Sequence, residues 1–171
     1  MKRFVVKVGD ITQCSADAVV HPVTEQLESA GVVSEAIFRA ADATLKEELN
    51  ACGSCPLGGV VVTEGHGLNV KKILHTANPK WYGGEQKEAE ILADCYRNCL
   101  KKAVELGLKT VAFPSISTGA YHFPVNMAAN IAVKTVLDFL KQDDTLEEVS
   151  LICLDQRTTL VYDMCLAQLQ R

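Results

Sequence analysis

At 171 residues the chain has room for one hydrophobic core rather than two, and 48 % hydrophobic with 22 % charged residues is a globular composition. That balance excludes a wholly disordered chain, a collagen-like repeat and a miniprotein held by disulfides. With 17 basic and 21 acidic side chains the net charge is −4, so no overall positive field draws the protein to nucleic acid. No apolar stretch approaches the roughly 20 residues of a membrane span, so no membrane partner is expected. Charges interrupt Met1-Lys2-Arg3-Phe4-Val5-Val6-Lys7 too early for a signal peptide.

The seven cysteines are an odd number and, without a secretion signal, are expected as free thiols in a reducing cytoplasm or nucleus. Cys52-Gly-Ser-Cys55 has the spacing of a zinc or redox pair. It lacks a second pair of ligands, however, and it closes a helix where a thioredoxin-like motif opens one. Neither a metal nor a cofactor is expected.

Residues 4–8 and 18–21 read as short β-rich strands separated by Gly9-Asp10 and a polar link. From Ser34 to Ala51 apolar residues recur every three or four positions (Ile37, Phe38, Ala41, Leu45, Leu49), which predicts one helix. Gly53, Pro56, Gly58 and Gly59 end it. Residues 60–63 and 72–76 are two further strands, and the few residues between them cannot form a crossover helix. They are therefore expected to pair antiparallel. A helix over 86–106 stops at Gly107, and a strand follows at 110–114. Pro124 opens the next helix, which runs to Lys141. A strand over 148–154 and a helix over 158–169 complete the chain. The alternation, with one pair lacking a crossover, predicts a single α/β domain over 1–171, a mixed sheet with helices on both faces.

In such sheets ligands bind where strand ends meet helix N-termini. Pro114-Ser115-Ile116-Ser117-Thr118-Gly119-Ala120-Tyr121-His122-Phe123-Pro124 joins a hydrophobic strand to a helix and is rich in small residues. Gly119 allows close backbone approach, and successive N–H groups near a helix start suit phosphate oxygens. An ordinary strand-to-helix loop would look similar. Neither the Gly-x₄-Gly-Lys-Ser/Thr nor the Gly-x-Gly-x-x-Gly pattern is present.

The segment 112–124 resembles the second ligand loop of the macrodomain family, the ADP-ribose-binding fold. Gly9-Asp10-Ile11-Thr12, Asp17-Ala-Val-Val20, Ala36-Ile-Phe-Arg-Ala-Ala41, Cys55-Pro-Leu-Gly58, Ile73-Leu-His-Thr76, Cys95-Tyr-Arg-Asn98 and Gly107-Leu-Lys agree with that family in order, over essentially the whole chain. The resemblance implies a three-layer α/β/α fold with a six-stranded mixed sheet between helices. It implies that Asp10 and Ile11 meet an adenine edge. Ser117, Thr118, Gly119, Ala120 and Tyr121 would wrap a diphosphate and the distal ribose, and Phe123 would shape the pocket. Leu154 and Asp155 stand where the family often covers the adenine with an aromatic ring, and Leu154 offers no stacking face.

The first ligand loop departs from the family. Hydrolytic macrodomains usually carry Asn-Ala-Ala-Asn, a glycine run, Val and Asp-Gly. Here Thr24 aligns with the distal-ribose Asn, the glycine run is reduced to Ser29-Ala30-Gly31-Val32, and Ser34 occupies the catalytic Asp position. Threonine lacks the paired donor and acceptor of an amide, and serine has no carboxylate to activate water. The candidates left for catalysis are Glu35, beside the lost Asp, and His122 in the second loop; Glu35 equally suits the first turn of a helix. His21-Pro22 is similar to a dipeptide in the macrodomain of a histone variant, a binding module. The resulting expectation is a module for ADP-ribose or a related nucleotide, free or protein-linked, with hydrolysis weak or lost. The alternatives are an ADP-ribosyl hydrolase or an enzyme processing an ADP-ribose derivative, with a rearranged first loop, and a scaffold for poly(ADP-ribose), RNA or protein, the last disfavoured by the intact second loop.

Overall fold

The computed structural model describes residues 3–170, so Met1 and Lys2, on which the reading of the N-terminus partly rests, lie outside it. Six strands form one sheet: β1 (Phe4–Val8), β2 (Ala18–Val23), β3 (Val60–Glu64), β4 (Lys72–Ala77), β5 (Thr110–Pro114) and β6 (Glu148–Cys153). Their order across the sheet is β1-β6-β5-β2-β4-β3. All neighbours are parallel except β3 and β4, which pair antiparallel as their short connection requires. Five α-helices cover the faces: α1 (Val32–Ala40), α2 (Thr44–Cys52), α3 (Glu88–Glu105), α4 (Val125–Gln142) and α5 (Gln156–Leu169).

The alternation of buried side chains gives the one sheet an apolar layer on each face. Leu92, Cys95 and Leu100 of α3, Ala129 and Val133 of α4, and Tyr162 and Leu166 of α5 pack with Phe4, Leu74, Phe113 and Leu151 of the sheet. On the other side Ile37 of α1 and Leu45 and Leu49 of α2 pack with Val19, Ile73 and Ala112. The central strands are buried on both faces, as in a doubly covered parallel sheet. Among the described residues no helix is long and apolar enough to cross a membrane.

The single helix expected over 34–51 is two. The apolar spacing continues in phase through the break, but the backbone does not. Asp42 donates its N–H to the His66 carbonyl at 2.8 Å, and its carboxylate accepts from the Thr44 N–H at 3.1 Å, starting α2 afresh. β2 also runs two residues further than the 18–21 expected, through Pro22. Proline is tolerated there because β2 pairs with β5 only at Ala18 and Val19, leaving the later residues of that edge free of a ladder.

Candidate functional site

That early end to β2–β5 pairing creates the site. The connection leaving β5 turns toward β6, whereas the one leaving β2 turns toward β3, so the strand ends diverge at a topological switch point. The cleft there has a volume of about 160 Å³. The first loop contributes Pro22, Ala30, Gly31, Val32, Val33 and Ser34, and the second contributes Ser115, Ser117, Thr118, Gly119, Ala120 and Tyr121. Leu154, Asp155 and Thr158 border it beyond β6, and Asn78 borders it beyond β4.

The second loop is held from below. Ser117 adopts a left-handed backbone (φ 67°), unusual for a residue with a side chain. Its hydroxyl donates to the Pro79 carbonyl at 2.8 Å, and its own carbonyl accepts from Phe123 N–H at 2.9 Å. The Tyr121 carbonyl accepts from Trp81 N–H at 2.9 Å, while the Trp81 and Phe123 rings pack 4.9 Å apart. With its carbonyls so engaged, the loop leaves the N–H groups of Thr118, Gly119, Ala120 and Tyr121 without partners among the described residues.

Across the cleft, α1 starts at Gly31, whose φ of 133° and ψ of −160° belong to a region only glycine occupies readily. No side chain caps this helix, and the N–H groups of Val32, Val33 and Ser34 likewise have no partners among the described residues. Two runs of unpartnered backbone donors thus border one cleft, one of them at a helix N-terminus. Donors of this kind suit an anion without any lysine or arginine.

Ser34 does not turn its hydroxyl to solvent; it is 2 % exposed. Its Oγ lies 2.7 Å from His21 Nε2, His21 Nδ1 lies 2.9 Å from His75 Nδ1, and His75 Nε2 lies 2.8 Å from Thr63 Oγ1. Burial drives both imidazoles to the neutral form, pulling His21 down to about 3 and His75 well below the ordinary histidine range. Each neutral ring has one proton, so the chain must run in one direction. Thr63 donates to the Glu64 carbonyl at 3.1 Å, so it accepts from His75 Nε2–H. His75 Nδ1 then accepts from His21 Nδ1–H, and His21 Nε2 accepts the Ser34 proton. This polarity satisfies every group in the row.

Of the expected site residues, Gly31, Val32, Ser34, Ser117, Thr118, Gly119, Ala120, Tyr121, Leu154 and Asp155 line the cleft. Others lie elsewhere. Asp10 is exposed and turns its carboxylate onto Thr12 N–H at 2.9 Å, and Ile11 is buried in the core under α1. Both are near the cleft's β6 end, because Gly9 N–H donates to the Cys153 carbonyl at 2.9 Å. Thr24 borders an adjoining hollow instead, with its Oγ1 accepting from Glu28 N–H at 3.0 Å. Phe123 is 1 % exposed and supports the second loop from the core. Glu35 and His122, the candidates for catalysis, are exposed and outside the cleft lining: Glu35 follows the helix start outward, and His122 (φ 60°) sits on the outer turn. Asp155 lines the cleft, but its carboxylate caps α5 by accepting from Thr158 N–H at 2.7 Å, which holds it below the usual carboxylate range. Sequence reasoning missed Asn78 and the linkage of His21 to Ser34; no short-range pattern announces either.

A three-layer α/β/α sheet with a cleft of backbone donors at its switch point defines a protein built to hold a small anionic ligand. The Macro domain profile matches residues 20–132, and the chain belongs to that family. It is 43 % identical over 159 residues to the macro domain-containing protein CT2219 of Chlorobaculum tepidum, covering 93 % of this chain and 92 % of that one. It is 42 % identical over 173 residues to the O-acetyl-ADP-ribose deacetylase of Salmonella typhimurium, covering 97 % and 95 %. Among solved structures, a glycine-to-valine variant of the Oceanobacillus iheyensis macrodomain with ADPR superposes with a TM-score of 0.89 at 33 % identity, covering 96 % of this chain and 92 % of that one. The Trypanosoma brucei macrodomain in complex with ADP-ribose superposes with a TM-score of 0.88 at 27 % identity, covering 95 % and 68 %.

Proposed function

We propose that this protein binds ADP-ribose or a closely related nucleotide, free or attached to protein. The observation that carries this reading is the pair of unpartnered N–H runs, Val32–Ser34 and Thr118–Tyr121, that border the same cleft. The diphosphate lies between them, with the adenosine toward Leu154, Asp155, Asp10 and Ile11. Relatives that bind ADP-ribose and ADP in solved structures support the reading. Calorimetric titration with ADP-ribose, ADP and AMP tests it. Ligand at 100 times Kd is expected to add about 2.7 kcal/mol of stability, and the absence of both heat and thermal shift at millimolar ADP-ribose would exclude it.

With Ser34 in place of a carboxylate, and with Asp155 committed to a helix cap, no free carboxylate in the cleft is placed to activate water. Turnover is therefore expected to be slow. One observation favours a second reading, hydrolysis of an acyl ester carried by ADP-ribose: the Ser34 hydroxyl rests 2.7 Å from an imidazole acceptor. Relatives named O-acetyl-ADP-ribose deacetylase support it too. In that reading the Ser34 hydroxyl, buried in this structure, turns into the cleft so that Oγ bonds to the acyl carbon while its proton passes to His21 Nε2 and then to the departing ribose oxygen. Water next cleaves the acyl–serine ester. Rapid deacetylation that Ser34→Ala abolishes would establish this reading, and equal rates in the two proteins would dismiss it.

A further inference from the structure

Asn78 directly follows β4, with its side chain almost wholly buried, at 4 % exposure. Its Nδ2 donates to Ser117 Oγ at 3.0 Å. The orientation of the amide is fixed by counting protons. Ser117 has one hydroxyl hydrogen and gives it to the Pro79 carbonyl, so it can only accept from Asn78. The NH₂ group therefore faces Ser117 and the carbonyl faces away. That oxygen, Oδ1, is buried and has no hydrogen-bond partner among the described residues. Buried acceptors left without a donor are uncommon, and because Asn78 is among the residues that line the cleft, a ligand there is the nearest source of that donor.

The sheet order says which part of the ligand that is. Across β6, β5, β2 and β4 the cleft runs from Leu154 and Asp155 at one end, past the two rows of N–H donors, to Asn78 at the other. If the diphosphate occupies the middle and the adenosine the β6 end, the group beyond the diphosphate reaches Asn78. In ADP-ribose that group is a sugar with several hydroxyl donors. Asn78 and Tyr121 also border the adjoining hollow formed with Thr24, Leu57, Lys80 and Tyr82, which opens beside that sugar.

We infer that Asn78 Oδ1 accepts a hydrogen bond from a hydroxyl of this terminal sugar, and that the adjoining hollow takes the group attached to the sugar. The inference rests on the ADP-ribose reading of the cleft. Asn78 thus supplies, from the end of β4, the carboxamide acceptor that Thr24 in the first loop lacks. It selects nucleotides that extend past the diphosphate over those that stop there.

The test is a set of calorimetric titrations in which ADP-ribose and ADP are the probes. Asn78→Ala is expected to weaken ADP-ribose by about three- to tenfold and to leave ADP within about twofold, the effect of one neutral hydrogen bond. An equal loss for both ligands would show that Asn78 acts by holding Ser117 and the second loop, and would overturn the proposal. A second measurement needs no mutation: the unmodified protein should bind ADP-ribose several-fold tighter than an analogue whose terminal sugar lacks one hydroxyl, for at least one hydroxyl position. Equal affinity for every such analogue would also overturn it. Failure of the unmodified protein to bind ADP would remove the reading of the cleft and this inference with it. Binding of ADP with no gain from the sugar would remove this inference alone.

Discussion

The two loops that face each other across the cleft are built on opposite plans. The second loop, 114–124, spends its carbonyls and buried side chains on support from Trp81, Phe123 and Pro79 and leaves four consecutive N–H groups free. The first loop, 21–35, turns Ser34 inward to His21, while Thr24 accepts from Glu28 N–H on the loop's exposed side. Its contribution to the cleft is the start of α1 behind Gly31. One loop is a cradle made of backbone. The other is a helix end at which Ser34 turns its hydroxyl to a buried histidine and the backbone N–H groups border the cleft.

The strongest way to break that comparison is to fill the cradle. Gly119 has an ordinary backbone conformation, and a Cβ built on it meets nothing within 4 Å. Gly119→Glu should therefore leave the melting temperature of the free protein unchanged while placing a carboxylate on the phosphate path. Like-charge juxtaposition costs several kcal/mol, so ADP-ribose affinity should fall about 100-fold or more in a titration. Unchanged affinity would move the anion site away from the second loop.

The inward network of the first loop should show itself in the pH dependence of folding. His21 and His75 stay neutral when folded but take up protons near pH 6.5 when unfolded, so acid favours the unfolded chain. Their contribution is complete above pH 6.5 and is lost as pH falls toward the folded value of about 3 for His21. Each proton is worth on the order of 1.4 kcal/mol per pH unit within that window. Carboxylates held low, such as Glu88, add to the loss only below about 4.5. Burial opposes that low value, but three backbone N–H groups converge on Glu88 and hold it at about 2. Between pH 6.5 and 4.5 the slope therefore belongs to buried histidine, and His21→Gln should remove about one proton from it in urea titrations across that range.

A substitution at Gly31 sharpens the contrast with Gly119. Here the backbone itself demands glycine, and a Cβ would stand 3.6 Å from the Ala120 Cβ across the cleft. Gly31→Val should lower stability by about 1–3 kcal/mol through backbone strain and weaken ADP-ribose at the same time. Gly119→Glu, by contrast, should affect the ligand alone. A Gly31 variant with unchanged melting temperature would show that the start of α1 is not held as described.

Much of this architecture was legible in the sequence because it depends on local periodicity. The six strands, the antiparallel β3–β4 pair and the stop at Gly107 follow from apolar spacing and turn residues, and the second loop from its run of small residues. The break between α1 and α2 was not legible, since a backbone bond from Asp42 to His66 sets it while the hydrophobic rhythm continues through it. Long-range pairing hid the rest. His21 meets His75 because β2 and β4 are in parallel register at those residues, although they lie 54 positions apart. Asn78 meets Ser117 across 39 positions. Asp10, Glu35 and His122 have suitable chemistry, but side-chain direction decides whether a residue lines a cleft, and residue type alone does not encode it.

The smallest expected effect on affinity comes from Ser34, the residue standing where hydrolases of the family carry an aspartate. If its role in binding is the backbone N–H at the start of α1, Ser34→Ala should leave the Kd for ADP-ribose within about twofold. The cost should fall on folding instead. Truncation leaves His21 Nε2 buried without its 2.7 Å donor, a loss of about 1–3 kcal/mol visible in a denaturant midpoint. A large loss of affinity with unchanged stability would reverse the assignment and put the hydroxyl in the cleft, not in the core. Loss of stability with affinity intact would mean that this loop gives up its side chains to the fold and keeps only its backbone for the ligand.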